Sequence, residues 1–593
     1  MPARPAVNNL EIMEAEKASP GVVFTNATVV DGTGVPAMTA DVLVCGDAIA
    51  AVRPVGPLVL AAPQGLTAAS ESTLPSTAQA EAGARNRLYS GLQVIDCTGL
   101  VLTPGFIDIH NHSDVALFAE PGAANYITQG VTTVLVGQCG ISAAPVAPAP
   151  VADAKVAPGL AAHALVTQAL AEQAADPGNP AAGRIFATFA QYLDALDHLP
   201  RTVNAGSLVG HGQIRLAVMG PDDRQPMEPE MDQMKTRVAE AMEAGAFGLS
   251  TGLIYAPGVY AKTAELIEMA QVAGRYGGLY ATHLRSEADL MVDAVMEAVT
   301  IGRESGLRVQ IAHHKASGRR NWGLVKTTLD IMEYARRNGL EITCDVYPYA
   351  PSGASIFALM PAWTRIHGPA GIKDFLSDPR SRERIRHELA RPSLTWENIL
   401  FDAGFDGLLV THSEAYPEYV GKNIAQVARE QGKDPMDLLL DIAATDVNMS
   451  MTAGGMSEDD MRYVLAHRLS MVCSDSSATR FGEGRPHPRN YAAFTRVLAT
   501  YVREEALLTL EQAVYKMTGF PAWKLDLHDR GAVRPGARAD IAVFDYWTLD
   551  SKATFGDPHH YSKGMAHVMV NGQFVLKDGK MTGARPGRTL RRA

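Results

Sequence analysis

The stretch GFIDIHNHSD, at residues 105–114, ends an apolar run with two histidines that are two positions apart. In a β-strand, residues i and i+2 point to the same side, so His110 and His112 project together from the strand end. Imidazole is a common ligand of zinc and of other divalent transition metals. The spacing favours a metal site, with a chance pair of surface histidines as the alternative.

Other potential ligands follow short apolar runs elsewhere in the chain. A thiol follows VTTVLVGQ, imidazoles follow NAGSLVG, LYAT and RVQIA, and a carboxylate follows MVCS. These residues are Cys139, His211, His283, His313 with its neighbour His314, and Asp475. A thiolate, several imidazoles and a carboxylate form the donor set that a zinc site requires.

Eight such apolar runs, most of them followed by a helical pattern, occupy the middle of the chain. The helical patterns include MDQMKTRVAEAMEAGA and AELIEMAQVAGRYGG. The alternation predicts βα units and a parallel sheet, and eight units over roughly 400 residues match a (β/α)₈ barrel of the TIM type. An open, doubly wound sheet is the alternative, but no Gly-x-Gly-x-x-Gly turn follows the first strand. The predicted strands are LTPGFIDIH, VTTVLVGQ, NAGSLVGH, FGLSTGL, LYATHL, RVQIAHH, EITCDVYPY and MVCSD.

In such barrels the carboxyl ends of the strands converge on one mouth, where active sites are built. Six of the eight predicted strands end in a potential ligand. Any one of these histidines could be an ordinary buried or surface residue, but chance does not readily explain all of them. The sequence therefore predicts an α/β fold with a metal site at the barrel mouth.

Short β-branched runs at both ends of the chain predict a second, smaller β lobe, either a sandwich or a small barrel. GVVFTNATVVDGTG, ADVLVCGDAIAAV and LQVIDCTGLVLTPG near the start indicate an antiparallel unit, and ARADIAVFDYW and HVMVNGQFVLKDGK lie near the end. The predicted divisions are a flexible N-terminus at 1–20, the lobe at 21–103 and 530–593 with a low-complexity insertion at about 56–90, and a catalytic barrel at 104–529 with a flap-like insertion at about 351–460.

The composition limits the classes of partner. The chain has 593 residues, of which 47% are hydrophobic and 20% charged, and its net charge is −11. This acidic balance argues against nucleic acid and against an anionic membrane surface as the main partner. We find no signal-peptide pattern and no membrane-spanning run, and five scattered cysteines are typical of a reducing compartment. We expect a cytoplasmic protein with a small-molecule substrate; its oligomeric state is open.

In their order along the chain, these motifs resemble the amidohydrolase superfamily, and within it the N-acyl-D-amino-acid deacylases, or D-aminoacylases. The resemblance implies zinc-dependent hydrolysis of the amide bond of N-acyl-D-amino acids, on a metal-dependent barrel with a small β lobe and a flap over the pocket. The matching stretches are GFIDIHNHSD, VGQCG, GHGQIR, GLSTGLIYAPG, ATHLRSE, AHHK, YPY, CSDSSA, HPRNYAAFTRVL and MTGFPAWKLDLHDRGAVRPGARADIAVFD.

The resemblance also implies a set of metal ligands. It assigns a tightly held zinc ion to Cys139, His283 and His313, and a second, weaker metal position to His110 and His112. Many amidohydrolases bridge two metals with a carboxylated lysine at the fourth strand, but AFGLSTGLIY contains no lysine. We therefore expect the thiolate of Cys139 to take the bridging position, and a single metal could be sufficient.

Asp475 is the predicted general base, which would take a proton from water and pass it to the leaving amine. An aspartate that only caps a following helix is the alternative. Substrates of the family carry a free α-carboxylate, and Lys315 and Arg489 match the family positions for a cationic clamp. Tyr255 and Tyr347 could donate hydroxyls to the carboxylate or to the developing oxyanion.

The segment after YPY departs from the family pattern, in which a serine usually reaches the substrate carboxylate. Here APSGASIF offers Ser352 and Ser355, and the sequence does not choose between them. Apolar residues near the predicted mouth loops favour hydrophobic D-amino acids over D-Asp or D-Glu. They are Ile254, Phe357, Leu359 and Met360.

Two other functions stay open at this point. One is a different enzyme of the superfamily, acting on a cyclic amide, a dipeptide or another N-acyl amine; cyclic-amide hydrolases would favour the missing carboxylated lysine. The other is a metal-binding scaffold without catalysis. A scaffold needs none of Asp475, Lys315 and Arg489, so their presence together argues for an enzyme.

Overall fold

A computed structural model describes most of the chain. It covers residues 21–55, 89, 91–146, 186–365, 368–393 and 396–592. The flexible N-terminus predicted at 1–20 lies outside these residues, and so does nearly all of the insertion predicted at about 56–90.

The strands are short and are numbered in chain order. They are β1 (Val22–Val29), β2 (Met38–Cys45), β3 (Ala48–Pro54), β4 (Gln93–Asp96), β5 (Val101–Pro104), β6 (Phe106–Asp108), β7 (Val131–Val136), β8 (Asn204–Ser207), β9 (Val209–Gly210), β10 (Gly248–Gly252), β11 (Leu279–His283), β12 (Arg308–Ile311), β13 (Ile342–Val346), β14 (Ser352–Ser355), β15 (Leu408–His412), β16 (Ser450–Ala453), β17 (Ser470–Val472), β18 (Ile541–Phe544), β19 (Met565–Val570), β20 (Gln573–Lys577) and β21 (Lys580–Met581).

The α-helices lie mainly between the strands of the middle region. They are α1 (Ala116–Ala119), α2 (Ala124–Ile127), α3 (Phe189–Asp197), α4 (His211–Met219), α5 (Glu228–Ala244), α6 (Thr263–Arg275), α7 (Met291–Ser305), α8 (Leu324–Arg337), α9 (Ile356–Leu359), α10 (Gly368–Ser377), α11 (Pro379–Leu389), α12 (Ile399–Gly407), α13 (Ile424–Gln431), α14 (Pro435–Thr445), α15 (Glu458–Ala466), α16 (Arg489–Arg496), α17 (Leu510–Met517) and α18 (Gly519–Lys524). None of the helices in the described parts of the chain combines the length and the apolar character needed to cross a bilayer.

The middle of the chain forms a closed barrel of parallel strands. Neighbouring strands pair in the order β6, β7, β8 with β9, β10, β11, β12, β13 and β17. The ring closes where the N–H of Asp475 donates to the carbonyl of His110 at 3.0 Å, and where the N–H of His112 donates to the carbonyl of Ser476 at 2.9 Å. The predicted (β/α)₈ barrel is confirmed, and the open sheet is wrong.

The first predicted strand, LTPGFIDIH, is in fact two strands in two different sheets. β5 pairs with β1 and β18 in the lobe, whereas β6 pairs with β7 in the barrel. Gly105 separates them, and a Cβ added there would lie 2.3 Å from the side chain of Thr132. The chain passes from one sheet to the other within a single residue, and only glycine leaves room for it.

Both ends of the chain contribute to one nine-stranded sheet, in the order β21-β20-β19-β18-β5-β1-β2-β3 with β4 also pairing with β1. The predicted β lobe is therefore present, and its exact division at 21–103 and 530–593 stays a prediction. The expected antiparallel arrangement near the start is wrong in part, since β4 and β5 run parallel to β1. They follow a long connection, which parallel pairing needs and a tight turn cannot supply.

A second small sheet, β14-β16-β15, interrupts the barrel between β13 and β17. Together with α9–α14 it surrounds a hydrophobic core of its own, which includes Phe357, Leu359 and Met360. Our interpretation of these three residues as part of the substrate pocket is therefore wrong. Ile254 is the only one of the four predicted residues that stays outside that core and partly exposed. The function of this insertion as a flap stays a prediction.

The crossing at Gly105 can be tested by substitution. Because an added methyl group would collide with Thr132, Gly105→Ala should destabilise the fold by about 1–3 kcal/mol, as overpacking does elsewhere. A lower midpoint of thermal unfolding would show it. Gly556→Ala is the control, since the nearest neighbouring atom, the hydroxyl oxygen of Thr554, is 4.0 Å from the added carbon. Equal midpoints for the two variants would contradict the explanation.

Candidate active site

Cys139, which follows β7, lies among three histidines from other strand ends. Its Sγ is 3.5 Å from Nε2 of His110, 3.5 Å from Nε2 of His313 and 3.8 Å from Nδ1 of His283. All four side chains are buried. Burial raises the pKa of the Cys139 thiol and lowers the pKa of each of these imidazoles. Neutral imidazoles are the form that binds metals, and a nearby cation would favour the thiolate.

The spacing of the donor atoms fits a shared metal ion. Within the described residues, three groups of potential ligands have their donor atoms within 4.8 Å of one another. The groups are His110, Cys139 and His313; His110, His112 and Asp475; and His283, Glu287 and His313. Ligands of a tetrahedral zinc ion, at about 2.0–2.3 Å from it, lie about 3.3–3.7 Å apart. The two contacts of Cys139 at 3.5 Å and the 3.3 Å between the Nε2 atoms of His110 and His112 fall in this range.

Three of these strand-end residues have a left-handed backbone, which is uncommon for residues with a side chain. The φ angles are 52° at Cys139, 32° at His313 and 49° at Asp475. Such conformations cost of order 1–3 kcal/mol each and persist where the surroundings enforce them. At His313 the enforcing contact is visible, because its N–H donates to Oδ1 of Asp345 at 2.7 Å. The fold thus holds donor groups in positions that an unconstrained chain would avoid.

Asp475 lies between the histidine pair and an arginine. Its Oδ1 is 3.2 Å from Nε2 of His112 and 3.5 Å from Nε2 of His110, and its Oδ2 is 2.8 Å from Nη1 of Arg489. Burial alone would raise the pKa of Asp475, but Arg489 and the imidazoles outweigh it and hold the pKa well below its usual range. The carboxylate is therefore ionised. The helix-cap alternative is wrong, since the next helix in this described part of the chain begins at Arg489.

Glu287 was missed by the sequence reasoning. Its Oε1 is 2.8 Å from Nζ of Lys315 and 3.0 Å from Nδ1 of His313, and its Oε2 is 3.8 Å from Nε2 of His283. It therefore faces the ring nitrogens that point away from Cys139. A carboxylate in this position fixes the orientation of metal-binding imidazoles. The signal was present in ATHLRSE, where this glutamate follows His283 by four residues.

Asp345 was also missed, because a carboxylate inside a strand gives no signal of its own. It accepts hydrogen bonds from the His313 N–H at 2.7 Å and from Nε2 of Gln310 at 2.6 Å. Its Oδ1 also lies 3.6 Å from Nδ1 of His110. Burial raises its pKa to about 6. Asp345 supports two of the potential ligands from within the barrel.

The four predicted substrate-binding residues lie around the same cluster. The ammonium of Lys315 is held by Glu287 and lies 5.6 Å from the centre of the Tyr347 ring, and the guanidinium of Arg489 lies 4.6 Å from the centre of that ring. The Tyr255 ring is 5.0 Å from that of His283. The structure therefore brings the cationic and phenolic groups to one mouth.

Other residues singled out in the sequence have partners outside the donor cluster around Cys139. The Ser355 hydroxyl caps α9 by accepting from the Ala358 N–H, and the Ser352 hydroxyl donates to the carbonyl of Ala453 at 3.4 Å. Which of these two serines contacts the substrate carboxylate therefore stays open. Among the strand-end histidines, His314 pairs with Thr328 at 2.9 Å and His211 pairs with Glu265 at 2.8 Å, so neither is grouped with the donor atoms around Cys139.

The metal site can be tested at its thiolate. Cys139→Ser should lose most of the zinc bound by the unsubstituted protein, because a serine hydroxyl stays protonated and is a poor zinc ligand at neutral pH. Elemental analysis after dialysis against a weak chelator measures the difference. Cys344→Ser is the matched control, since Cys344 is another buried, free cysteine and its sulfur contacts the carbonyl of Leu469 instead. Equal zinc in both variants would argue against the site.

The sequence and the fold match proteins of known activity. A model described as the amidohydrolase family matches residues 93–327 and 395–576. An N-acyl-D-aspartate deacylase of Alcaligenes xylosoxydans xylosoxydans is 36% identical over 84% of this chain and 87% of its own length. A D-aminoacylase of the same organism is 33% identical over 96% of this chain and 97% of its own.

A solved structure of a related deacylase superposes on this chain. It is an N-acyl-D-glutamate deacylase from Bordetella bronchiseptica, complexed with zinc and with a phosphonate inhibitor that mimics the tetrahedral intermediate. It superposes with a TM-score of 0.75 and 32% identity, over 97% of this chain and 100% of that one. The resemblance predicted from the motifs is confirmed: the chain belongs to the amidohydrolase family, and within it to the N-acyl-D-amino-acid deacylases.

Proposed function

We propose that this chain hydrolyses the amide bond of N-acyl-D-amino acids, giving a carboxylate and a free D-amino acid. The observation that carries the proposal is the buried group of Cys139 and histidines with an ionised Asp475 beside it. The relatives named N-acyl-D-aspartate deacylase and D-aminoacylase align with this chain over most of their length. The reaction is therefore the cleavage of a linear amide.

Zinc is the cofactor that we propose, with the tighter position on Cys139, His283 and His313. His110 and His112 would hold the weaker position, and the thiolate of Cys139 would be available to both. The buried thiol and neutral imidazoles support this assignment, because they suit a soft divalent cation better than Mg²⁺ or Ca²⁺. A zinc ion held there supplies Lewis-acid polarisation of the amide and a nucleophilic water at neutral pH.

Asp475 is the proposed general base. Its low pKa keeps it ionised, so that Oδ1 can accept a proton from water and return it to the leaving amine. Arg489 holds the other oxygen and so fixes the direction of the carboxylate. The base and its orienting cation therefore act as a pair.

The α-carboxylate of the substrate is proposed to bind beside that pair. Nε of Arg489 is buried and has no hydrogen-bond partner within the part of the chain that the structure describes, so it remains free to donate. Lys315 adds a second positive charge, and Tyr347 and Tyr255 add phenol groups. A cyclic-amide substrate is a poorer fit, since GLSTG in β10 offers no lysine for carboxylation.

The reaction can be tested with matched enantiomers. The zinc-loaded protein should release free amino acid from N-acetyl-D-methionine and not from N-acetyl-L-methionine, and N-acetyl-D-glutamate is assayed beside them. Chiral chromatography of the products measures the release. Failure with every D-substrate, despite bound zinc, would overturn the proposed activity.

The base can be tested separately. Asp475→Asn should lower kcat by about 10²–10⁴-fold, because amide nitrogen cannot take the proton, while the zinc content stays near that of the unsubstituted protein. Asp459→Asn is the control, since that side chain is 97% exposed. Undiminished turnover in Asp475→Asn would rule out this assignment.

A further inference from the structure

Arg285 follows His283 by two residues, in the segment ATHLRSE, and its guanidinium holds two parts of the chain at once. Its Nε and Nη2 donate to the two carboxylate oxygens of Glu297 in α7, each at 2.9 Å. Nη1 also donates to the carbonyl of Val259 at 3.3 Å, and Nη2 to the carbonyl of Ala261 at 3.0 Å. One side chain thus joins α7 to the loop that follows β10.

The Tyr255 loop (residues 253–262) is the segment between β10 and α6. Within it, the N–H of Val259 donates to the carbonyl of Tyr255 at 2.8 Å. Val259 is therefore bonded to Tyr255 through its N–H and to Arg285 through its carbonyl. A continuous series of hydrogen bonds runs from Glu297 through Arg285 to the main chain of Tyr255.

A second arginine–glutamate pair contacts the same loop at another carbonyl. Arg215 in α4 donates from Nε to Oε1 of Glu265 at 3.1 Å and from Nη1 to the carbonyl of Pro257 at 3.2 Å. Both side chains of this pair are buried. The carbonyls of Pro257, Val259 and Ala261 thus all accept from arginines. Because a loop has no sheet or helix ladder to satisfy its backbone groups, such side-chain donors determine its conformation.

Tyr255 lies on the side of the mouth that the donor cluster forms. Its ring centre is 5.0 Å from that of His283, whereas the ring of Tyr347 lies beside the cations of Lys315 and Arg489. The phenol of Tyr255 is therefore better placed for a developing oxyanion, and that of Tyr347 for the substrate's α-carboxylate. An oxyanion donor has to be held in place before the reaction, because a misplacement of about 1 Å can cost about 10²-fold in rate.

We infer that Arg285 is a positioning residue, which fixes Tyr255 through the carbonyls of Val259 and Ala261. The inference rests on the proposed function and adds a residue on which its rate depends. A planar guanidinium is required, because it pairs with a carboxylate through two nitrogens and still donates to two carbonyls. A lysine ammonium carries its three donors on one atom and cannot span both ends.

Kinetics of zinc-loaded variants test the inference. Arg285→Met should lower kcat for N-acetyl-D-methionine by about tenfold or more, with KM within about threefold, because a misplaced oxyanion donor weakens mainly the transition state. Arg285→Lys should recover part of the loss, since it keeps a charge opposite Glu297. Adding Arg285→Met to Tyr255→Phe should lower kcat by no more than a further twofold or so, because both changes act on one group. Undiminished kcat in Arg285→Met, or losses that multiply in the double variant, would overturn the inference.

Arg462→Met is the matched control. Arg462 forms the same two-nitrogen pair with Glu505, at 2.8 Å and 3.0 Å, and its side chain is 32% exposed against 31% for Arg285. This variant should keep kcat within about twofold, and both variants should keep the zinc content of the unsubstituted protein. If Arg285→Met does not fold, Arg285→Met combined with Glu297→Met removes both charges of the pair. The same kinetic loss is expected there, and normal kcat in that folded protein would overturn the inference.

Hydrogen–deuterium exchange distinguishes failure of the inference from failure of the proposed function. The amides of Tyr255, Val259 and Ala261 are hydrogen-bonded within the loop, so peptides that cover residues 253–262 should exchange faster in Arg285→Met than in Arg462→Met. Equal exchange in these two variants would overturn the inference, whatever the turnover. Faster exchange in Arg285→Met, with no hydrolysis of any N-acyl-D-amino acid by the unsubstituted protein, would keep the anchoring of the loop and overturn the function.

Discussion

The backbone hydrogen bonds that close the barrel between β17 and β6 are the constraint on which the site depends. The N–H of Asp475 donates to the carbonyl of His110, and the N–H of His112 donates to that of Ser476. This seam joins the two ends of the barrel sequence, so that Oδ1 of Asp475 lies 3.2 Å from Nε2 of His112. The proposed general base and the two imidazoles proposed to bind metal are thereby held close together.

Around that seam, the buried charges are compensated in pairs. Arg489 compensates Asp475, and Lys315 compensates Glu287, which also faces His313. The thiol of Cys139 is uncharged in these surroundings, because its neighbours are neutral imidazoles and burial raises its pKa. A divalent cation bound there would stabilise the thiolate and would use the neutral imidazoles as ligands.

Much of the fold could be predicted because its signals are local. The eight barrel strands are short apolar runs whose periodicity differs from that of the amphipathic helices between them, and their polar ends identify the mouth. The parallel pairing of β4 and β5 with β1 could not be predicted, since strand direction depends on how a long connection returns. The burial of Phe357 in the insertion core was missed for a related reason: an apolar residue near a mouth can face either a pocket or a core.

The sequence by itself determined which donor types end which strands and, through its motifs, the family to which the chain belongs. The tertiary structure decided which of those groups meet. His211 and His314 have the same sequence signal as His283 and His313, yet their nearest partners are Glu265 and Thr328. The contacts of Glu287 with His313 and of Asp345 with His313 and His110 also appear only in three dimensions. The physical reason is that the energy of a buried charge depends on its neighbours in space, and these come from distant parts of the chain.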